Sequence, residues 1–87
     1  MIRPGKFPPE MTVGEVFDEL DYEDPEDDED LQYKLLSEWT YEQFADIPRE
    51  RDTFRYHDLT VRISKMQQTR ILRLVVRIEP EEGGEQA

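Results

Sequence analysis

Cysteine is absent from this 87-residue chain, which removes a disulfide framework, a thiolate metal site and a cysteine nucleophile together. Serine occurs only at Ser37 and Ser64 and histidine only at His57, so a Ser-His-Asp constellation, which needs three side chains converging in a cleft, has almost nothing to draw on. The four glycines (Gly5, Gly14, Gly83, Gly84) lack the grouping and the following lysine of a phosphate-cradling loop. No apolar run approaches the ~20 residues of a membrane span, and residues 1–20 lack the basic-then-apolar order of a signal peptide. Basic side chains are scarce as well, 11 against 22 acids for a net charge of −11. A balance of that sign repels phosphate backbones and anionic lipid, so binding to either would need a concentrated local basic face, and neither nucleic acid nor direct membrane insertion is expected. A reducing, cytoplasmic setting fits these absences.

What remains is enough for one small domain. A chain of this length buries only about 60–65 % of its unfolded surface, so the core must be well packed. Residues 1–79 carry the regular patterning. Residues 80–87 have no apolar anchor besides Ala87 and are expected to be disordered.

The charge is unevenly spread. Residues 1–50 sum to −12, residues 51–79 to +4 and residues 80–87 to −3. Two readings stay open: the opposed halves attract each other within the fold, or one face is kept for a partner. Much of the acidic excess lies in residues 22–30, Tyr22-Glu23-Asp24-Pro25-Glu26-Asp27-Asp28-Glu29-Asp30. A run of that density reads as a solvated, extended and mobile loop. Tested as a calcium loop from Asp24, it places Glu29 where the turn glycine belongs and Leu35 where the bidentate carboxylate belongs. Asp24, Asp27, Asp28 and Asp30 are left as weak metal candidates.

Thr12 with Glu15 makes a capping box, and Val13, Val16, Phe17 and Leu20 follow at helical spacing, so a helix is expected over 13–20. Asp30 reads as the cap of a second helix that carries Leu31, Leu35, Leu36, Trp39 and Phe44 on one stripe down to Ala45. Pro48 ends it and leaves Ile47 as a buried pivot. Trp39, with Tyr33 and Tyr41, reads as core and rim packing.

From Thr53 the period changes to two. Phe54 and Tyr56, then Leu59, Val61 and Ile63, then Leu72, Leu74, Val76 and Ile78 alternate with polar or basic residues, as in half-buried strands. His57-Asp58 and a turn within 65–69 connect them, and residues 1–7 could add a short edge strand broken at Pro4-Gly5. The expected fold is α+β: two short helices on one face of a small antiparallel sheet, with a C-terminal three-strand meander. Arg62, Arg73 and Arg77 then form an outward basic stripe, a candidate anion or docking face. His57 sits in a turn as a solvated group, with Asp58 beside it as a pH-sensitive contact.

Phe44-Ala45-Asp46-Ile47-Pro48, the run Asp52 to Ile63, and Met66 through Arg70-Ile71-Leu72-Arg73-Leu74-Val75-Val76-Arg77-Ile78 together resemble the CorC/HlyC transporter-associated domain. That family has an isoleucine-proline step after a helix, an aspartate opening a strand, an aromatic-rich hairpin and an arginine-isoleucine pair opening the last strand. Where its members usually carry glycines, this chain has Glu38, Ala45 and Arg51. The resemblance implies a non-catalytic cytoplasmic regulatory or assembly module of a membrane protein of the magnesium and cobalt efflux or haemolysin-like type. Its partners would be the transmembrane region and a pair of CBS domains in the same polypeptide, with a homodimer possible. It brings no cofactor and no catalytic residue. From the residues alone, a nucleotide- or anion-binding module and a standalone acidic protein imitating nucleic acid are the competing classes.

Overall fold

The computed structural model describes residues 5–79. Of the edge strand expected over residues 1–7, the part Gly5–Phe7 is a strand, while residues 1–4 and the expected disorder of 80–87 lie outside the described residues. The element order is β1 (Gly5–Phe7), α1 (Val13–Leu20), α2 (Glu29–Tyr33), α3 (Leu36–Glu42), β2 (Thr53–Tyr56), β3 (Leu59–Gln67) and β4 (Arg70–Ile78). The four strands form one antiparallel sheet in the order β1-β4-β3-β2, so the meander β2-β3-β4 is completed at its far edge by the first strand. The α+β architecture read from the sequence is the one observed.

Helix α1 has the bounds that its spacing predicts. The Thr12 hydroxyl accepts from the Glu15 amide at 3.1 Å while the Glu15 carboxylate accepts from the Thr12 amide at 3.1 Å, so two otherwise unpaired donors are satisfied. Val13, Val16 and Phe17 are buried against the sheet.

The second helix is a correction. It begins after Asp28, not Asp30, because the Asp28 carboxylate takes the amides of Asp30 and Leu31. It is also broken in two. Lys34 and Leu35 are extended, and the segment 34–36 pairs with the segment 11–13: Val13 N donates to Lys34 O at 2.8 Å and Leu36 N to Met11 O at 2.7 Å. These bonds replace a continuous helix and let Leu31, Leu36 and Trp39 all reach the core. Ile47 is another correction, 60 % exposed, while Pro48 beside it is buried.

The core joins Val13, Val16, Phe17, Leu31, Leu36 and Trp39 from the helices to Phe7, Leu59, Val61, Ile63, Ile71, Leu74 and Val76 from the sheet. Trp39 anchors an aromatic cluster, edge-on to Phe54 at 5.0 Å and to Tyr56 at 5.1 Å. Each fully buried aliphatic side chain contributes about 1.5–3 kcal/mol.

The β3-β4 hairpin departs from simple alternation. Its register runs regularly from Leu59↔Ile78 to Ile63↔Leu74, shifts at Lys65↔Arg73 and resumes at Met66↔Ile71. Ser64 and Leu72 are the extra residues. Doubling one residue on each strand rephases the side chains beyond it, so Ile71 enters the core and Leu72, expected inside, is 37 % exposed.

Candidate functional site

The helices occupy one face of the sheet, which leaves its other face and the acidic loop to carry a site. Antiparallel partners point the same way, and the register defines rows across the outer face. Lys6, Val75, Arg62 and Thr53 make one row, Arg77, Thr60 and Arg55 a second, and Arg73 with Lys65 a third. The sequence expected Arg62, Arg73 and Arg77 on one face, and the structure places all three there with Arg55, Lys6 and Lys65.

Among the described residues, six cations share this face with one acid. Glu79, just past β4, reaches Arg77 Nη2 at 2.9 Å and Arg55 Nη1 at 3.4 Å, and accepts from the Thr60 hydroxyl at 2.7 Å. Arg55 is held further by the Glu79 and His57 carbonyls. Among the described residues, Arg62, Arg73, Lys65 and Lys6 have no acid within ion-pair distance. Among the described residues, therefore, no lysine or arginine of the second half pairs with an acid of the first. Among the described residues, the one side-chain contact between the halves within ion-pair distance is His57 Nε2 to Glu26 Oε2 at 2.8 Å, an ion pair only when the imidazole is protonated.

That contact belongs to the acidic loop, which is another correction. Residues 22–30 are largely exposed, as expected, but instead of being extended they fold back on the β2-β3 turn. Asp24 accepts from the amides of Glu26 and Asp28, both at 2.9 Å, and from the Tyr56 hydroxyl at 2.6 Å. Burial alone would raise the Asp24 carboxyl, but these hydrogen bonds outweigh it and hold the group below its ordinary value. Burial, and then the Asp24 carboxylate itself, push the Tyr56 phenol well above its own. Burial likewise raises Tyr22, whose ring stands edge-on to Phe17 at 5.1 Å and whose hydroxyl oxygen is enclosed without a well-formed hydrogen bond.

The four candidate metal ligands are not brought together. Asp24 and Asp28 are spent on backbone amides, Asp27 sits in a left-handed turn at φ 51°, and Asp30 lies in the first turn of α2. Among the described residues, no three histidines or carboxylates share a centre where a metal ion could sit. An open groove of about 440 Å³ lies beside the loop, lined by Phe17, Asp18, Tyr22, Asp24, Asp27 and Gln32. His57 faces Glu26, not the neighbouring Asp58. Trp39 is core, Tyr33 is exposed, and Tyr41 ties α3 to the sheet by donating to Thr69 O at 2.8 Å and accepting from the Ile71 amide at 3.2 Å.

Sequence reading missed Arg55, Lys6 and Lys65 as members of the basic face, although Arg55 alternates with the inward Phe54 and Tyr56. Alternation could have found Lys6, since it precedes the buried Phe7. Lys65 follows an inserted residue that alternation does not reveal.

Comparison with known proteins agrees with this architecture. The family model described as the transporter associated domain, CorC_HlyC, matches residues 7–80. A crystal structure of a CorC_HlyC domain from Haemophilus ducreyi superposes with a TM-score of 0.71 at 16 % identity, covering 91 % of this chain and 92 % of that one. No curated protein matches the chain.

Proposed function

Because the chain belongs to the CorC_HlyC transporter-associated domain family, we propose that it is a non-catalytic regulatory or assembly domain of a CorC/HlyC-type membrane ion transporter of the magnesium and cobalt efflux kind. The observation that carries this reading is the family match over residues 7–80, on a fold with one sheet face spent on the core and the other not covered by any described element. Nothing in the site argues for chemistry at a bound substrate. His57 is engaged by Glu26, the Ser64 hydroxyl by the carbonyl of Arg73, and Ser37 stands on a different element from either. In this reading the domain lies on the cytoplasmic side of the membrane, tethered to a transmembrane region and a pair of CBS domains of the same polypeptide. No helix among the described residues is long and apolar enough to cross a membrane, so the spans would come from elsewhere in that polypeptide.

The test is cation efflux from cells expressing the parent transporter with and without residues 7–80. Altered ion dependence or altered assembly, with the spans still inserted, is the expected result. Transport and assembly identical in the two strains would overturn the proposal, as would a parent gene that encodes no membrane span. A melting-temperature rise with adenine nucleotide or flavin at millimolar concentration would instead favour the ligand-binding reading, by mass action.

A further inference from the structure

We propose that the outer sheet face is a docking surface for a carboxylate-rich polypeptide segment of a partner protein, gripped chiefly by Arg62, Arg73, Lys65 and Lys6 around Val75.

Three observations support it. First, Lys65 stands directly opposite Arg73 across the β3-β4 ladder, with no acid within ion-pair distance of either among the described residues. Like charges directly opposite each other destabilise a sheet, so the isolated domain carries a repulsion that an anionic occupant would relieve. Second, Lys6, Arg62, Arg73 and Lys65 stand around a half-buried valine, Val75, with Thr53 at the far end of its row. An apolar centre within a polar, arginine-rich rim is the usual anatomy of a protein contact. Third, the spacing suits an extended chain. Rows two residues apart are about 6.6–6.8 Å apart and neighbouring strands about 4.7–4.9 Å apart, so Arg73 and Arg77 lie about 13 Å apart along β4 with Arg62 between them on β3. Alternate carboxylates of an extended segment recur at the same interval, and guanidinium groups take carboxylates in two-pronged fashion.

The charge of the whole chain decides against an extended polyanion. At −11 the long-range field repels nucleic acid and anionic bilayers. Charges farther away than the ~8 Å screening length at physiological salt contribute little, so a short acidic segment seated on the face is governed by the local cations, whereas a long polyanion runs past them to the acids of the rest of the chain. The inference concerns the domain itself and does not depend on which membrane protein carries it.

Fluorescence anisotropy with a labelled twelve-residue peptide of alternating glutamate and serine tests it directly. The peptide is expected to bind the full chain, at least tenfold more weakly at 300 than at 50 mM salt. Binding is expected to fall about tenfold or more in the double variant Arg62→Glu/Arg73→Glu, with Arg62→Gln/Arg73→Gln intermediate. Both variants are at exposed positions, and circular dichroism checks that they stay folded. The proposal is overturned if the peptide does not bind, or binds the variants equally. It is also overturned if duplex DNA or phosphatidylserine vesicles bind as tightly as the peptide. Sedimentation showing low-salt self-association that the double variant abolishes would assign the face to a second copy. Binding seen only after residues 80–87 are removed would assign it to the chain's own end. Either result refutes a partner segment.

Discussion

Replacing Arg51 by glycine is expected to stabilise the domain, although it removes a side chain and a charge. Arg51 has φ 81°, in the left-handed region that side chains avoid. It occupies the third position of the turn closed by Asp52 N donating to Arg49 O at 3.1 Å, which in a type II turn calls for glycine. The turn leads into a bulge: Arg51 N donates to Ile63 O at 2.7 Å and Ile63 N to Asp52 O at 3.0 Å, so two residues face one on β3. A left-handed first residue, normally glycine, marks that type of bulge. The conformation is fixed from both sides, and the arginine cannot relax without breaking the start of β2.

The magnitude is the difference of two effects. A side chain in the left-handed region costs about 1–2 kcal/mol, and glycine gives back about 0.5–1 kcal/mol through the extra freedom of the unfolded chain. The net gain is about 0.5–1 kcal/mol, which for a domain of this size raises Tm by about 2–8 °C. Thermal melts followed by circular dichroism should compare the parent with Arg51→Gly, Arg51→Ala and Arg51→Val at one salt concentration. Alanine keeps the backbone strain and loses only the charge, so it should melt near the parent, with valine below it because its branched Cβ tolerates positive φ least. An Arg51→Ala chain melting as high as Arg51→Gly would show that charge is responsible. Arg51→Gly melting below the parent would refute the strain argument outright.

Other outcomes follow from the loop and the core. Tyr56→Phe should cost about 1–2 kcal/mol, because a charge-assisted hydrogen bond to Asp24 is lost at a half-buried site; a denaturation midpoint equal to the parent's would contradict this. The same pair sets opposite limbs of the pH profile. Asp24 is held below its unfolded value, so its contribution is present above about pH 4 and lost on further acidification, whereas Tyr56 is raised, so its contribution is present below about pH 10 and lost above it. Asp24→Asn should flatten the acid limb, measured by urea unfolding between pH 2 and 7, and Tyr56→Phe the alkaline one. Tyr22→Phe should cost nothing or add slightly to stability, since its hydroxyl is enclosed without a well-formed partner; a loss above about 1 kcal/mol would mean that the hydroxyl is bonded after all. Trp39→Ala should cost about 3–5 kcal/mol by emptying the middle of the aromatic cluster, and near-parent stability in the same unfolding assay would place the core elsewhere.

How far the fold could be read depended on whether a local signal was also the winning one. Helix α1 was legible residue for residue, because Thr12 and Glu15 cap it through bonds that lie wholly within four residues. The next helix was not, because its apolar stripe is the same whether Lys34 and Leu35 are helical or extended. The decision lies with Met11 and Val13, more than 20 positions earlier, which supply hydrogen bonds to the extended form. The hairpin shows the same division. Periodicity located both strands of the hairpin, yet the paired insertions at Ser64 and Leu72 conserve strand length, so nothing in the alternation betrays that Ile71 and Leu72 have exchanged sides.

The basic face was legible for a related reason. A charge read as a total describes how a molecule behaves at a distance, and −11 works against polyanionic partners that sense it from afar. A charge read along a strand is sorted by period two, and that sorting is local and robust: Arg62, Arg73 and Arg77 fall on one face because Val61, Ile63, Leu74 and Val76 must fall on the other. What alternation cannot reveal is whether acids elsewhere fold over to meet those cations. Here Asp24 is drawn to Tyr56 and Glu26 to His57, at the turn end of β2. The most acidic stretch of the chain is thereby tied down beside the sheet instead of across its outer face, and on that face Glu79 alone is seen to pair with the arginines among the described residues.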